Sequence, residues 1–258
     1  MTGLTRRIFI RDLGLGAVGI AVGGTVLTAC GNEPPAPAPP VPATGSSAAS
    51  RPADSGGLTV RRVRLDFVSA YVLVRGRNVA IVDTGVGGSA GEIERALAEV
   101  GVGWSDVGSV ILTHRHPDHV GSLGDVAASA EDASLFAGAA DVEAIEAPRP
   151  LEPVGDGDTV LGLAVVESPG HTPGHISVFD PDSRILVAGD ALNGDGSGVE
   201  TIVDGVGGPN PRFTADMSAA VASVAKLAAL SPDTIYFGHG EPRLGGAADA
   251  LAALVSRL

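Results

Sequence analysis

The sequence contains little cysteine and few aromatic residues. Its 258 residues include one cysteine, Cys30, together with six Phe, one Trp and two Tyr. A single cysteine excludes a disulfide framework and a cysteine-rich zinc site. The scarcity of aromatic rings disfavours a protein that stacks the bases of single-stranded nucleic acid. Histidine is absent from residues 1–113, and all six copies fall within residues 114–239.

Positive charge is also in short supply. Asp and Glu outnumber Lys and Arg by 30 to 17, so the formal charge is −13. Residues 1–30 carry three Arg and one Asp, a net of +2, which leaves −15 for residues 31–258 (−13 minus +2). A surface this acidic repels nucleic acid and anionic membranes. We therefore expect no nucleic-acid partner.

The N-terminus lacks a hydrophobic run that predicts a membrane span. Residues 13–29 are uncharged, but the run is short and rich in glycine. It follows Thr5-Arg6-Arg7-Ile8-Phe9-Ile10-Arg11 and ends at Leu27-Thr28-Ala29-Cys30. These stretches resemble a twin-arginine export signal and a lipobox, whose cysteine receives a lipid. Residues 1–30 are expected to be a removable signal, with Cys30 anchoring the protein to the outer face of the cytoplasmic membrane or the cell envelope. Secretion without lipid is the alternative.

Residues 31–57 are rich in proline, alanine and serine. Seven of the 18 prolines fall between positions 34 and 52. Such a segment cannot bury an apolar core and favours extended conformations. We interpret it as a tether to one folded domain, residues 58–258, which is long enough for a sizeable core.

From residue 58 onward, short apolar runs alternate with stretches of helical periodicity. Strands are predicted at 58–66, 70–74, 79–82, 107–113, 134–136, 159–167, 176–179, 185–187 and 234–237. Helices are predicted at 90–100, 118–128, 140–146, 214–230 and 246–258, and the glycine-rich residues 193–213 are predicted to form a pocket-shaping loop. Strands in series with helices interspersed indicate an α/β protein whose sheet layers are covered by helices on both sides.

A dense cluster of potential metal ligands follows one predicted strand. The stretch Thr113-His114-Arg115-His116-Pro117-Asp118-His119 places four potential ligands within six residues. His114 and His116 are two apart, so they face the same side of an extended chain, while Pro117 starts a helix. Imidazole and carboxylate groups suit zinc, iron or manganese. Taken singly, each histidine could be a core or surface residue and Asp118 a helix cap, but the cluster favours a metal site.

Three further candidates stand just after other predicted strands. His171 follows Ser168-Pro169-Gly170, Asp190 follows Gly189, and His239 lies between two glycines. Glycine at such positions lets the backbone and a bound group approach closely. The strand ends therefore predict that distant parts of the chain contribute to one site.

The order and spacing of these residues resemble the metallo-β-lactamase-fold superfamily, with a motif set similar to that of glyoxalase II. The resemblance covers about residues 58–258 and implies an α/β (α+β) fold, the four-layer αββα sandwich, with a metal site at one edge of the two sheets. It implies one metal held by His114, His116 and His171, a second held by Asp118, His119 and His239, and Asp190 bridging the two. It also implies that Asp83 orients a ligand imidazole. His175 is expected to support the site from behind the ligands, with a substrate contact as the alternative.

The same resemblance implies a binuclear metallohydrolase with two divalent ions, zinc before iron or manganese. A hydroxide bridging the metals would attack an ester, thioester, lactone or related bond of a small molecule, and Asp118 would pass a proton to the leaving group. Only nineteen residues follow His239, so no glutathione-holding helical segment of the glyoxalase II kind is expected. Two alternatives stay open: a persulfide-dioxygenase-like enzyme with one iron, and a non-catalytic metal-binding lipoprotein domain.

Overall fold

A computed structural model describes residues 57–258. The predicted signal segment, Cys30 and nearly all of the predicted tether lie outside the described residues. Within the described part of the chain, no helix has both the length and the apolar character that crossing a bilayer requires.

The first half of the domain builds a six-stranded sheet whose strands are neighbours in chain order, β1 to β6. Strands β1 to β3 pair antiparallel, and β3 to β6 pair parallel. The central strands are rich in valine, isoleucine and leucine and are buried on both faces, as parallel strands between two layers require. The six strands are β1 Thr59–Leu65, β2 Val68–Arg75, β3 Asn78–Val82, β4 Val107–Leu112, β5 Ser134–Gly138 and β6 Leu151–Val154.

The second half forms a five-stranded sheet in the order β14-β10-β9-β8-β7 and a small sheet in the order β11-β13-β12. In the larger sheet only β10 and β14 pair parallel. The strands are β7 Thr159–Val160, β8 Leu163–Glu167, β9 Ile176–Asp180, β10 Ile185–Val187, β11 Asn193–Gly194, β12 Ile202–Val203, β13 Val206–Gly207 and β14 Thr234–Tyr236.

Helices cover the outer faces of the two sheets. Ile93 and Leu97 of α1 and Val126 of α3 join the apolar cluster on the first sheet. Leu227 of α4 and Leu251 of α5 join the cluster on the second sheet. The helices are α1 Ala90–Glu99, α2 Pro117–Val120, α3 Leu123–Ser129, α4 Met217–Ala229 and α5 Ala247–Val255.

A third apolar cluster fills the space between the two sheets. It includes Leu73, Val82 and Ile111 from the first sheet and Ile176 and Val187 from the second, all at most 2% exposed. The order of layers is therefore helix, sheet, sheet, helix, which confirms the predicted αββα sandwich. Since both sheets contribute buried strands to one interior layer, the ends of those strands meet at a common edge.

Two predicted helices are wrong in part. The helix predicted at 118–128 is broken into α2 and α3 at Gly121, where an added Cβ would lie 2.5 Å from the carbonyl oxygen of Pro117 and 2.7 Å from the backbone nitrogen of Gly87. His116, rather than Asp118, precedes α2 as its N-cap residue. The helix predicted at 140–146 is only a 3-10 turn, Val142–Ala144.

Two other predictions needed correction at turns and loops. The strand predicted at 159–167 is two strands, because Leu161 and Gly162 take φ values of 56° and 72° and turn the chain back on itself. The predicted loop at 193–213 contains the small β11-β13-β12 sheet, and β6 was not predicted at all. None of these four short strands contains an unbroken apolar run of three residues, so neither periodicity nor an apolar run marks them in the sequence.

Candidate metal centre

The seven predicted ligands lie at the ends of four strands from the two larger sheets. His114 and His116 follow β4, with Asp118 and His119 in the first turn of α2. His171 follows β8, Asp190 lies in a 3-10 turn after β10, and His239 follows β14. Potential ligand atoms of these residues fall into three sets, each within 4.8 Å: His114, His116 and His171, which we call the first group; Asp118, His119 and His239, the second group; and a third set that includes Asp190, namely His114, His119 and Asp190.

The first group consists of three converging ring nitrogens. His116 Nδ1 lies 3.1 Å from His114 Nε2 and 2.9 Å from His171 Nε2. A ring nitrogen carries at most one proton, so it can donate to only one of these neighbours. Three nitrogens aimed at one point fit a shared cation better than hydrogen bonds among themselves.

The second group combines a carboxylate with two imidazoles. Asp118 Oδ2 lies 3.4 Å from His239 Nε2 and 3.8 Å from His119 Nε2. The imidazole of His119 is fully buried, whereas the side chain of Asp118 is 26% exposed. This group therefore has one ligand that faces solvent and one that is fixed inside the protein.

Asp190 contacts both groups through its two oxygens. Its Oδ2 atom lies 3.3 Å from His171 Nε2 and 3.2 Å from His239 Nε2, and its Oδ1 atom lies 3.3 Å from His119 Nε2. Buried atoms normally have a partner, yet His119 Nε2 and Asp190 Oδ1 have no hydrogen bond within the described residues. A carboxylate and a bare imidazole nitrogen facing each other in the interior fit a cation between them.

Glycine keeps space open around Asp190. An added Cβ at Gly238 would collide with Asp190 Oδ1 and lie 2.7 Å from His119 Cε1. At Gly189, which takes a φ of 54°, an added Cβ would lie 2.7 Å from His175 Nε2. Glycine therefore precedes Asp190 and His239 because the site leaves no room for a side chain at positions 189 and 238.

Asp83 contacts His119, the kind of imidazole that the resemblance assigned it to orient. Its Oδ2 atom lies 2.8 Å from His119 Nδ1, and its Oδ1 atom accepts the Thr113 backbone N–H at 2.7 Å. When Asp83 accepts a hydrogen bond from the N–H at His119 Nδ1 of the neutral imidazole, the lone pair on Nε2 points into the site. Asp83 holds this position with a φ of 61°, which is unusual for a residue other than glycine.

His175 forms a hydrogen bond with the backbone of Asp190. His175 Nε2 accepts the backbone N–H of Asp190 at 3.0 Å, and Nδ1 lies 2.8 Å from Ser168 Oγ. Because Nε2 is an acceptor, the ring is neutral and carries its proton on Nδ1, which donates to Ser168. His175 is only 1% exposed and does not line the cavity described below, so the structure places it in the support of Asp190 rather than against a substrate.

Sequence reasoning missed several groups that orient the histidines. Thr113 Oγ1 donates to Asp83 and lies 3.1 Å from His114 Nδ1, whose proton it can accept. Thr214 Oγ1 lies 3.4 Å from His171 Nδ1, and the backbone carbonyl of Phe67 lies 2.9 Å from His239 Nδ1. Thr113 directly precedes the motif and could have been suspected, but the other two contacts join segments far apart in sequence.

Asp141 was also missed, although it ties together two loops that carry predicted ligands. This fully buried carboxylate accepts the Arg115 backbone N–H at 3.2 Å, the Thr172 hydroxyl at 2.5 Å and the Gly174 N–H at 3.0 Å. Its carboxylate bonds to these loops and makes no cap hydrogen bond to the 3-10 turn that follows it.

The electrostatics differ between the two sides of the site. Burial lowers the pKa of His171 to about 4 and holds the pKa of His114 well below its usual value. Burial alone would also lower the pKa of His239, but hydrogen bonds to Asp118 and Asp190 raise it to about 10. The first group therefore presents neutral imidazoles, the form of histidine that can bind a metal, and the carboxylates of Asp118 and Asp190 attract positive charge to the second group.

A cavity of about 680 Å³ opens over these residues. His116, Asp118, His171, Asp190 and His239 all line it. Its volume falls within the range of sites for small ligands.

Comparisons with known proteins agree with this arrangement. Residues 63–239 match the family described as Metallo-beta-lactamase superfamily. The probable metallo-hydrolase YflN of Bacillus subtilis is 28% identical over 228 residues, covering 73% of this chain and 84% of the relative. A hydroxyacylglutathione hydrolase of Cereibacter sphaeroides is 37% identical over 155 residues, which cover 58% of this chain and 54% of that enzyme. The chain therefore matches only about half the length of that enzyme.

A solved structure of a metallo-beta-lactamase family protein from Thermus thermophilus superposes with a TM-score of 0.61 at 26% identity, covering 78% of this chain and 79% of the other. Fold, site and family match together define a protein of the αββα class with a histidine- and aspartate-rich site at the edge of its sheets. The chain belongs to the metallo-beta-lactamase superfamily. In general terms it is a hydrolase of this superfamily, and hydroxyacylglutathione hydrolases are among its relatives.

Proposed function

We propose that the protein is a binuclear metallohydrolase that cleaves an ester, thioester, lactone or related acyl bond of a small molecule. One observation carries the proposal: five histidines and two aspartates from four strand ends converge, with Asp190 in contact with both groups. The unpartnered His119 Nε2 and Asp190 Oδ1 support a cation-binding role. Hydrolysis adds one water, breaks the acyl carbon–oxygen or carbon–sulfur bond, and yields a carboxylic acid with an alcohol or thiol.

The seven side chains fit two divalent ions, and we propose zinc, since imidazole and carboxylate ligands suit it, with iron and manganese as alternatives. His114, His116 and His171 would hold one ion, Asp118, His119 and His239 the other, and Asp190 would contact both. When bound, two such ions would acidify a water and polarise the scissile carbonyl.

The chain itself supplies positioning and a proton acceptor. Asp118 lines the cavity, and although burial alone would raise its pKa, its hydrogen bond to His239 holds the pKa below the usual value. An ionised carboxylate at this position can accept a proton and pass it to the leaving group. Asp83 and His175 fix His119 and Asp190, so the site is arranged before substrate arrives.

Removing metal is expected to abolish hydrolysis by the purified domain, and adding back zinc is expected to restore it. The reason is that none of the cavity-lining groups among residues 57–258 is a serine or cysteine paired with a base that could replace the metal chemistry. The measurement is metal content by elemental analysis beside turnover of a panel of esters, thioesters, lactones and β-lactams, before and after chelation.

Other results of the same experiment would favour one of the two alternative functions or contradict the proposed mechanism. Oxygen consumption with a persulfide and one iron per chain would favour the dioxygenase. Bound metal without turnover of any panel member would favour a non-catalytic metal-binding domain. Turnover that survives complete removal of metal would contradict the proposed mechanism.

We also propose that the protein is exported and anchored by lipid at Cys30, on the basis of the twin-arginine and lipobox patterns. Labelled fatty acid is expected to enter the full-length protein in a bacterial host and to be lost from Cys30→Ser. Incorporation in both proteins, or in neither, would contradict lipidation at this residue. Unlabelled protein recovered from the medium would support the secreted alternative.

A further inference from the structure

Two phenylalanine side chains stand exposed at the cavity. Phe67 is 58% exposed and Phe213 is 61% exposed, and both line the cavity beside the metal-ligand candidates. Residues 57–258 expose only five large hydrophobic side chains, and these two are the aromatic ones. Apolar surface concentrated at a functional cavity marks a place where an apolar partner binds.

Phe67 is fixed beside the second ligand group. It belongs to the two-residue turn between Leu65 and Val68, whose strands are paired directly on either side. Its ring stacks on His239 with an interplanar angle of 1° and a centroid distance of 5.9 Å. The Phe67 carbonyl accepts a hydrogen bond from His239 Nδ1, so both the backbone and the ring of Phe67 are held against His239.

Phe213 stands beside the first ligand group. Its backbone N–H donates to the carbonyl of Asn210 at 3.1 Å, which closes a turn. Two residues further on, the N–H of Ala215 donates to the carbonyl of His171 at 3.2 Å. The two rings are thus carried by segments that are bonded to opposite groups of the metal centre, with Asp190 in contact with both groups.

Outside the proposed metal site, the charged side chains that line the cavity carry no excess of positive charge, and the nearby guanidinium of Arg212 lies 5.8 Å from the centre of the Phe213 ring. Arg62 is held by Ser69, Gly240 and Glu241, and Arg64 also pairs with Glu241. Apart from the proposed ligands Asp118 and Asp190, the charged lining residues are two arginines and three carboxylates, a net of −1: Arg62, Arg64, Asp66, Asp195 and Glu241.

We propose that the substrate carries an uncharged, apolar acyl group, which packs between Phe67 and Phe213 while its scissile carbonyl lies beside Asp190. This inference rests on the proposed hydrolase function. It names the substrate class of the same site: acyl esters, thioesters or lactones with an apolar arm.

The test uses p-nitrophenyl acetate, butyrate and hexanoate with the metal-loaded protein. Each added methylene is expected to raise kcat/KM about fourfold, the change that corresponds to burying one methylene. Phe213→Ala is expected to lower the hexanoate-to-acetate ratio of kcat/KM about tenfold. Phe67→Ala is expected to lower the same ratio. Leu244→Ala removes a side chain that is 66% exposed away from the cavity, and it serves as the control.

A second measurement separates this inference from the proposed function. Calorimetry would compare the binding of acetate and hexanoate to the metal-loaded protein, with no turnover involved. Tighter binding of hexanoate that is lost in Phe213→Ala would support the apolar binding site between the two rings. Failure of every ester to be hydrolysed would overturn only the hydrolase proposal. Equal binding of the two acids, a chain-length series that is flat in the wild type, or a preference for half-esters of dicarboxylic acids would overturn the inference.

Discussion

Asp190→Ala is expected to reduce hydrolysis more than a hundredfold, beyond the roughly 10–100-fold that loss of an outer hydrogen-bond partner of a metal ligand costs. The reason is the position of this carboxylate, whose oxygens lie 3.2 to 3.3 Å from imidazoles of both ligand groups. Its loss removes the one side chain that would contact both proposed ions. Metal content is expected to fall from about two ions per chain toward one. Elemental analysis and turnover of the best panel substrate measure both effects.

Two further variants make this result interpretable. Asp190→Asn keeps the side-chain volume and removes the charge, so it tests the carboxylate without opening a hole in the buried site. Asp182→Ala removes an exposed carboxylate from the turn between β9 and β10, at the other end of β10, and should match the wild type. Full activity with normal metal content in both Asp190 variants would refute the assignment of the site.

Asp83→Asn is expected to weaken metal binding by about 10–100-fold while changing the fold little. In the wild type, Asp83 Oδ1 accepts the Thr113 N–H and Oδ2 faces His119 Nδ1. The Thr113 N–H needs an acceptor, so the amide oxygen of Asn must take the Oδ1 position and the NH₂ group must face His119. The imidazole then accepts at Nδ1 and carries its proton on Nε2, the atom that points into the metal site.

The measurement is competition with a chromophoric chelator, alongside the free energy of unfolding of the metal-free protein. Asp83→Ala is the harsher comparison, since it leaves buried donors without an acceptor and is expected to destabilise the protein by about 1–3 kcal/mol. Asp132→Asn changes an exposed carboxylate and is the matched control. An Asp83→Asn protein that binds metal as tightly as Asp132→Asn would show that the tautomer of His119 is not controlled by Asp83.

Much of the fold could be predicted from local patterns. The strands at 79–82 and 185–187 were recovered nearly as predicted because each is an unbroken apolar run between turns, and the helix at 90–100 because its apolar residues have helical spacing. The helix prediction at 118–128 failed because the backbone of Gly121 packs against Gly87 and Pro117, a contact that periodicity does not reveal. At 140–146 the chain forms only a 3-10 turn, and the Asp141 carboxylate bonds to loops near residues 115 and 172, contacts that the local sequence does not reveal.

The sequence also predicted which residues form the candidate site, but it did not predict most of the groups that hydrogen-bond to them. His114, His116, Asp118 and His119 are close in the chain, so one strand end and one helix start are enough to bring them together. His171, Asp190 and His239 were recognised through order and neighbouring glycines, and the structure brings them to the same place. Their role as metal ligands stays a prediction until metal is measured.

The sequence by itself determined the residue types, the strand endings and the excess of negative charge, since these depend on composition and on neighbours along the chain. Only the tertiary structure decided how each imidazole is turned. His175 against the Asp190 backbone and the Phe67 carbonyl against His239 join positions 15 and 172 residues apart. Such contacts depend on how two sheets pack, and packing brings together atoms whose separation along the chain carries no periodic signal.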